Sequence, residues 1–142
     1  MSNIPTNTTV GNRSRAVAYW LVTGLLAFEL AYGATWDLRQ IPLVRDVVTH
    51  LGYPVYLLLI LGTWKLLGAI ALVAPRLLLL KEWAYAGIFF LFSGALCSHL
   101  AAGDNFSKWI WPTAFLALNI ASWFLRPPSR RIQPVHNAQH GG

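Results

Sequence analysis

Four long apolar runs divide this sequence, and short polar segments separate them. The runs cover residues 16–36, 54–74, 82–101 and 109–125. As a helix rising about 1.5 Å per residue, a run of about 20 residues spans the hydrocarbon core of a bilayer. The runs lack the alternation of polar and apolar residues that strands of a membrane barrel require. The pattern therefore predicts an all-α fold, an integral membrane four-helix bundle.

The segment between the first two runs, residues 37–53, has a shorter apolar pattern. It is too short and too charged to cross a bilayer. Its apolar residues recur at helical spacing, at Ile41, Val44, Val47, Val48 and Leu51. We therefore expect a short amphipathic interfacial helix between helices one and two.

Prolines mark several of the expected helix ends. Pro54 suits the first turn of helix two, and Pro75 breaks the chain after it. Residues 77–82 could extend either neighbouring helix, and we expect them to form a compact link. The domain organisation that follows is one transmembrane domain over residues 16–126. Residues 1–15 and 127–142 are polar and are expected to be disordered cytoplasmic segments.

Composition supports a membrane location. Of the 142 residues, 56% are hydrophobic and 11% are charged, whereas about 25% are charged in a soluble domain. The net charge of +6 comes from basic residues near the ends of the apolar runs. Such charges set topology and contact anionic lipid, so we expect the lipid bilayer as a partner and no nucleic acid. A single cysteine, Cys97, excludes an internal disulfide framework.

The distribution of basic residues predicts the topology. Three of them, Arg39, Arg45 and Lys108, fall on one side of the four runs. Seven fall on the other side: Arg13, Arg15, Arg76, Lys81, Arg126, Arg130 and Arg131. The positive-inside rule then places both termini in the cytoplasm. The first run is interpreted as a retained helix, because it is longer than the apolar part of a signal peptide and contains Glu29.

A lysine in the middle of the second run, Lys65, requires an explanation, because a charge at that depth costs about 3 kcal/mol on insertion scales. Glu29 is the opposite charge inside the runs, so we predict an ion pair between them. Ser93 and Asn119 fall near the same depth and complete a predicted intramembrane polar centre. Two interpretations stay open. The centre is a structural pair that sets helix register, or it handles a proton or a small amphiphilic ligand.

A second polar group is expected near the outer side, where Asp37, His50, His99 and Asp104 fall at the ends of runs. These residue types can bind a metal or lie at the edge of a haem. Their spacing matches no recognised ligand motif, and each residue suits an interfacial position. We therefore predict an outer-side polar cluster without a metal. No catalytic residue and no cofactor are predicted from these residues.

Two stretches resemble the DoxX-like family of small four-helix bacterial membrane proteins. They are LGYPVYLLLILGTWKLLGAIAL, ending at Leu72, and KEWAYAGIFFLFSGALCSHLAAGD, ending at Asp104, with Pro75 between them. The resemblance covers about residues 16–126. The positions that fall on the family's motif are Gly52, Tyr53, Pro54, Gly62, Lys65, Gly68, Glu82, Trp83, Ala84, Gly87, His99 and Asp104.

The resemblance implies a four-helix membrane bundle in a bacterial plasma (inner) membrane. The family takes its name from a subunit linked to a thiosulfate–quinone oxidoreductase, and most members have no assigned activity. The resemblance also implies that the chain is a non-catalytic subunit or scaffold of a membrane complex. It implies other membrane or redox subunits as partners and quinone as a ligand. The alternative is a small carrier or membrane enzyme that uses the Glu29–Lys65 centre.

Overall fold

The computed structural model describes residues 8–132, and this part of the chain is helical, without a strand. Its helices are α1 (Thr8–Arg39), α2 (Pro42–His50), α3 (Leu57–Val73), α4 (Leu78–Ala101) and α5 (Phe106–Leu125). A short 3-10 turn, Pro128–Arg130, follows α5. The all-helical class is confirmed, and α2 corresponds to the short helix expected between the first two long ones. The disorder predicted for residues 1–7 and 133–142 concerns positions outside the described residues.

Helices α1, α4 and α5 begin earlier than the apolar runs predicted, α5 by three residues and the other two by more. Helix α1 starts at Thr8 rather than at residue 16, so residues 8–15 are helical and not disordered. Apolarity marks where a helix meets lipid or core, whereas its backbone hydrogen bonds can continue into polar surroundings. Helix α4 starts at Leu78 rather than at residue 82. Arg76 adopts a left-handed φ of 62° directly after Pro75, so the chain turns there and the following leucines join α4.

The four long helices pack in the order α1, α3, α4, α5, with α5 returning against α1 and α2 lying against α3. One hydrophobic cluster joins three of them. Its buried members are Leu26, Leu30, Ala69, Leu72, Tyr85, Ile88 and Phe92. This cluster lies on the side of the helices that faces the neighbours, which leaves the other side of each helix unpacked within the chain.

Helices α1 and α3 are in close contact at Gly62. A Cβ atom at this position would stand 2.9 Å from Leu38 Cγ and 3.0 Å from Asp37 Cβ. A Cβ at 2.9 Å would force these neighbours to shift, so glycine allows α3 to pack this closely against the side chains of Asp37 and Leu38. This side of α3 therefore faces the protein, and the contact places the end of α1 beside α3.

The outward-facing surface of the helices is apolar. Its most exposed large side chains include Phe28, Trp64, Trp83, Phe90 and Trp111. Two helical segments, Gly11–Arg39 and Leu78–Ala101, are long and apolar enough to cross a membrane, and the apolar α3 is shorter at 17 residues. Soluble monomers rarely expose contiguous apolar surface on this scale. Lipid is therefore the solvent that this surface suits.

Several basic side chains that the sequence assigned to one side of the membrane meet at one end of the helices. Arg15 Nη2 donates a hydrogen bond of 2.9 Å to the carbonyl of Phe124. The guanidinium of Arg130 lies 4.5 Å from the centre of the Trp20 ring, and its Nη1 is 3.5 Å from the carbonyl of Leu72. We call this the basic end. The last turns of α3 and α5 and the first part of α1 come together there.

Candidate functional site

Lys65 forms an ion pair with Asp37. Its Nζ lies 2.8 Å from Asp37 Oδ2, and the two side chains are only 15% and 5% exposed. The sequence predicted Glu29 as the partner, and the structure corrects that assignment. Asp37 lies about two helical turns beyond Glu29, close to the end of α1. A long lysine side chain can extend along the helices towards a less apolar level, so the ion pair forms near the helix end.

Glu29 lies beside this pair. Its Oε1 and Lys65 Nζ are each 3.4 Å from the point that a Cβ on Gly33 would occupy. Its Oε2 is buried, with no hydrogen-bond partner among the described residues. One ammonium group and two carboxyl groups therefore share a single buried region, and the absence of a side chain at Gly33 leaves space between Glu29 and Lys65.

The other two members of the predicted polar centre lie elsewhere. Ser93 Oγ is 3.4 Å from the carbonyl of Phe90 in its own helix, and Asn119 Nδ2 donates to the carbonyl of Tyr85 at 3.1 Å. Within the described part of the chain, neither is hydrogen-bonded to Lys65. The sequence prediction grouped these four residues by their depth in the membrane. Residues at the same depth can point from different faces of different helices, so the four do not form one centre.

A buried hydroxyl cluster that the sequence analysis missed lies next to Asn119. Ser122 Oγ is 2.7 Å from both Thr23 Oγ1 and Tyr85 OH. The cluster joins α1, α4 and α5 and satisfies polar groups that would otherwise be buried without partners. The signal was present in the sequence, because Thr23 and Ser122 interrupt otherwise apolar runs.

Three of the four residues of the predicted outer-side cluster meet at the end of the helices opposite the basic end. Asp104 Oδ2 is 2.7 Å from His99 Nδ1, and its Oδ1 is 2.8 Å from His50 Nε2 and 3.3 Å from Lys108 Nζ. Asp37, the fourth, belongs to the ion pair described above. Among residues 8–132, no group of three or more His, Cys, Asp and Glu side chains is arranged to hold a metal ion.

Asp104 makes the stability of this end depend on pH. Hydrogen bonds, above all the one from His99, hold the pKa of its carboxyl group well below its ordinary value. A carboxyl group whose pKa is lowered by folding stabilises the protein above its unfolded pKa, and this stabilisation is lost as the pH falls through the native value. We expect the melting temperature in detergent to fall below about pH 5, and to fall less in Asp104→Asn. If the melting temperatures of the unaltered protein and of Asp104→Asn fall in parallel with pH, Asp104 is not the cause of the pH dependence.

A cavity of about 420 Å³ lies between α2, α3 and α4 at the same end of the molecule. We call it the outer cavity. Its polar lining residues are Asp37, Tyr53, Lys65, Ser98 and His99, and the rest of its lining is apolar. Its volume falls within the range of about 300–1,000 Å³ that is typical of small-molecule sites. Helix α2 contributes its apolar face to the wall, through Val44, Val47 and Val48, with Leu51 just after the helix.

Backbone turns on both sides hold α2 over the outer cavity. Gln40, before the helix, has a left-handed φ of 48°, and Gly52, after it, has a φ of 82°. Beyond the second turn, Tyr53 OH lies 2.9 Å from Ser98 Oγ of α4. The turns reverse the chain, so the short amphipathic helix lies along α3 instead of extending α1.

A second cavity, of about 340 Å³, lies between α3 and α4 on the other side of Lys65. Small residues of α4 provide the space in both cavities. Gly94 lines the outer cavity and Gly87 lines the second one. A Cβ at either glycine would meet no atom within 4 Å. Unlike Gly62, these two glycines do not mark a close helix contact, and they leave open space.

Lys81, which the sequence counted among the charges that set topology, is completely buried. Its Nζ donates to the carbonyls of Ala71 at 2.7 Å and Leu72 at 2.8 Å, and also to that of Ala74. These are among the last carbonyls of α3, which lack partners within the helix. A buried cation there satisfies them and interacts favourably with the helix dipole. Lys81 is therefore a structural residue of the link between α3 and α4.

Glu82, a position on the family's motif, also has a structural partner. Its Oε1 accepts from Arg126 Nη1 at 2.5 Å, and its Oε2 accepts from Trp123 Nε1 at 3.2 Å. The guanidinium of Arg126 lies 4.9 Å from the centre of the Tyr85 ring. These contacts join the beginning of α4 to the end of α5 at the basic end.

Comparison with known proteins identifies the family. No significant match was found among curated proteins or among solved structures. A sequence model described as the DoxX-like family matches residues 21–122. Together with the apolar helices, this match indicates a membrane protein. Because the match covers most of the chain, including the Lys65–Asp37 pair and the whole outer cavity, this chain belongs to the DoxX-like family.

Proposed function

We propose that this chain is a multi-pass protein of the bacterial inner membrane that binds an amphiphilic, quinone-like molecule in the outer cavity. One observation carries the proposal. The cavity is apolar over most of its wall and polar at Lys65, Asp37 and His99. An apolar pocket with a few convergent polar groups is the usual form of a small-molecule site. The apolar part suits a ring and tail, and the polar part suits an oxygen-bearing head group.

The polar groups of the cavity favour a head group with carbonyl or hydroxyl oxygens. An ammonium group has three donors, so Lys65 Nζ can donate to a ligand while it stays beside Asp37. His99 Nδ1 is held by Asp104, so the second ring nitrogen, Nε2, is the one available to a ligand. Because Nδ1 donates to the ionised Asp104 carboxylate, Nε2 of the neutral ring is an acceptor and suits a hydroxyl group of the ligand, whereas the Lys65 ammonium group suits a carbonyl oxygen.

In the proposed topology, α1, α3, α4 and α5 form a membrane-spanning four-helix bundle with both termini in the cytoplasm. The meeting of Arg15, Arg126 and Arg130 at one end supports this orientation, since basic residues concentrate on the cytoplasmic side. The outer cavity then lies in the outer half of the bilayer, beneath α2. A ligand dissolved in lipid reaches it through the gap between α3 and α4.

Two glycine substitutions on α4 test this proposal. Gly94→Leu places a side chain in the outer cavity, and Gly87→Leu places the same side chain in the second cavity, two turns away. A short-chain ubiquinone analogue is titrated into the purified protein in detergent, and tryptophan fluorescence is measured. We expect Gly94→Leu to weaken binding at least about tenfold, which corresponds to about 1.4 kcal/mol, and Gly87→Leu to bind as the unaltered protein does.

Two outcomes would contradict the proposal. One is that the unaltered chain does not bind the analogue at any concentration at which it stays dispersed. The other is the reverse pattern, with binding lost in Gly87→Leu and kept in Gly94→Leu, which would place the ligand in the second cavity. Circular dichroism of both variants establishes that each retains its helices.

A second candidate function is a non-catalytic subunit or scaffold of a membrane redox complex. Family membership supports it, as does the exposed aromatic surface at Trp64 and Trp83 beside the second cavity. Purification in mild detergent at native expression distinguishes the two candidates. A stoichiometric partner chain would favour the subunit, whereas recovery of this chain alone, with quinone-type lipid bound, would favour the binding protein.

A further inference from the structure

The buried group formed by Glu29, Lys65 and Asp37 has an unequal number of charges. It contains one amine and two carboxyl groups on helices whose other faces are apolar. If all three were ionised, the group would carry a net negative charge away from water. Isolated buried charges are costly, and two carboxyl groups close together do not both ionise readily. The group reaches a net charge of zero when one of its carboxyl groups holds a proton.

We propose that these three residues form a proton-exchange site, in which one carboxyl group holds a proton and the other is paired with Lys65. In the described arrangement Asp37 has the ammonium group at 2.8 Å, so it is the ionised member. Glu29 is then the neutral acid. Glu29 Oε2 and Asp37 Oδ2 are both buried without a hydrogen bond of normal geometry among the described residues, but only the Asp37 oxygen has the ammonium group at 2.8 Å. The neutral form is therefore less costly at Glu29 than at Asp37.

Gly33 allows the pairing to change without movement of the helices. Glu29 Oε1 and Lys65 Nζ each lie 3.4 Å from the point that its Cβ would occupy, so no side chain at this position fills the space beside them. When the ammonium group moves to Glu29, the Glu29 acid loses its O–H proton and the Asp37 carboxylate gains one. Lys65 stays protonated throughout, and the net charge of the group is zero before and after. The charges that face Glu29 in this exchange are Lys65 from α3 and Asp37 from α1.

The exchange moves a proton from the buried region between the helices to the outer cavity. Asp37 and Lys65 line that cavity, and Glu29 is not among its lining residues. When Glu29 loses its proton and Asp37 gains one, the exchangeable proton is on a residue that lines the cavity. Delivery to a ligand rests on the proposed function, but the proton-holding group itself does not depend on any ligand.

Infrared spectroscopy of the full chain in lipid vesicles, without ligand, tests the site. A protonated carboxyl group has a carbonyl-stretch band that is separate from the bands of carboxylates. The chain has five acidic residues. Glu82 and Asp104 are ion-paired and Asp46 is exposed, so these three are expected to be ionised at neutral pH. We expect the unaltered protein to show the band of one protonated acid.

Variants assign that band. It should disappear in Glu29→Gln, because Asp37 keeps the ammonium group and stays ionised. It should double in Lys65→Met, because neither acid then has a cation. Labelling all aspartates with carbon-13 identifies the acid without any substitution, since a Glu29 band will not shift. No band in the unaltered protein, or a band that survives Glu29→Gln, would overturn the proposal.

A pair of glycine variants tests the exchange. Gly33→Ala places a methyl group at contact distance from both Glu29 Oε1 and Lys65 Nζ, whereas Gly24→Ala adds one to the same helix in open space. On addition of the ubiquinone analogue, the band should move to the labelled aspartate position in Gly24→Ala and stay at the glutamate position in Gly33→Ala. The same response in both variants would overturn the exchange. Lack of analogue binding would overturn the proposed function and leave the ligand-free band as the test of the proton site.

Discussion

Replacing Lys65 by methionine is expected to destabilise the protein by about 3–5 kcal/mol, the usual cost of removing one partner from a buried ion pair. The substitution leaves Asp37, which is 5% exposed, without a counter-ion and next to a second carboxyl group. Part of the cost is avoided if both acids take up protons. The free energy of unfolding in mixed micelles, followed by circular dichroism, measures the effect.

Lys108→Met is the matched control for Lys65→Met. Lys108 also pairs with an aspartate, but its side chain is 49% exposed, and Asp104 keeps both histidines when it is removed. Exposed pairs contribute about 0.2–1 kcal/mol, so this variant should be close to the unaltered protein. The double variant Lys65→Met/Asp37→Asn should recover part of the loss, because it also removes the unpaired acid. If Lys65→Met and Lys108→Met lower the free energy of unfolding equally, the Lys65 pair is not effectively buried.

Lys81→Met is expected to destabilise the protein by about 3 kcal/mol or more. A hydrogen bond to a charged group contributes about 1.5–3 kcal/mol, and the ammonium group of Lys81 serves three carbonyls at the end of α3. Methionine has a similar length and fills most of the same volume, so the loss reports the unsatisfied carbonyls and not a cavity. Hydrogen exchange should become faster in the last turn of α3, and chemical unfolding in micelles gives the total effect.

Arg76→Met is the control for Lys81→Met. Arg76 lies in the same link and carries the same charge, but its side chain is exposed. Surface substitutions of this kind usually change stability by no more than about 0.5 kcal/mol. If the Lys81→Met and Arg76→Met variants have the same free energy of unfolding, the buried ammonium group does not stabilise the end of α3.

Helix positions were largely predictable, but helix ends were not. The apolar runs correspond to α1, α3, α4 and α5, and the apolar spacing in residues 37–53 corresponds to α2. The errors lie where backbone geometry decides, as at Arg76, whose left-handed conformation assigns the leucines after Pro75 to α4. No pattern of apolar residues encodes that choice, because those leucines suit either helix equally.

The candidate site was predictable in its residue types and less so in its pairs. Lys65 was identified as a residue that needed a partner, and Asp37, His99 and Asp104 were identified as members of an outer-side polar cluster. Depth along the helices favoured Glu29 over Asp37 as the partner of Lys65. The reach of the lysine side chain and the close helix contact at Gly62 decided otherwise.

The sequence by itself determined that the chain is helical, that its helices are apolar enough for a membrane, and that it resembles the DoxX-like family. These properties follow from hydrophobic pattern and local motif, which act along the chain. Only the tertiary structure decided that Lys65 pairs with Asp37, that Lys81 is buried, and that Gly87 and Gly94 leave cavities. Each of these three features depends on the distance between two helices and on which faces of the helices are in contact. Packing across the whole molecule determines the distance and the contacting faces.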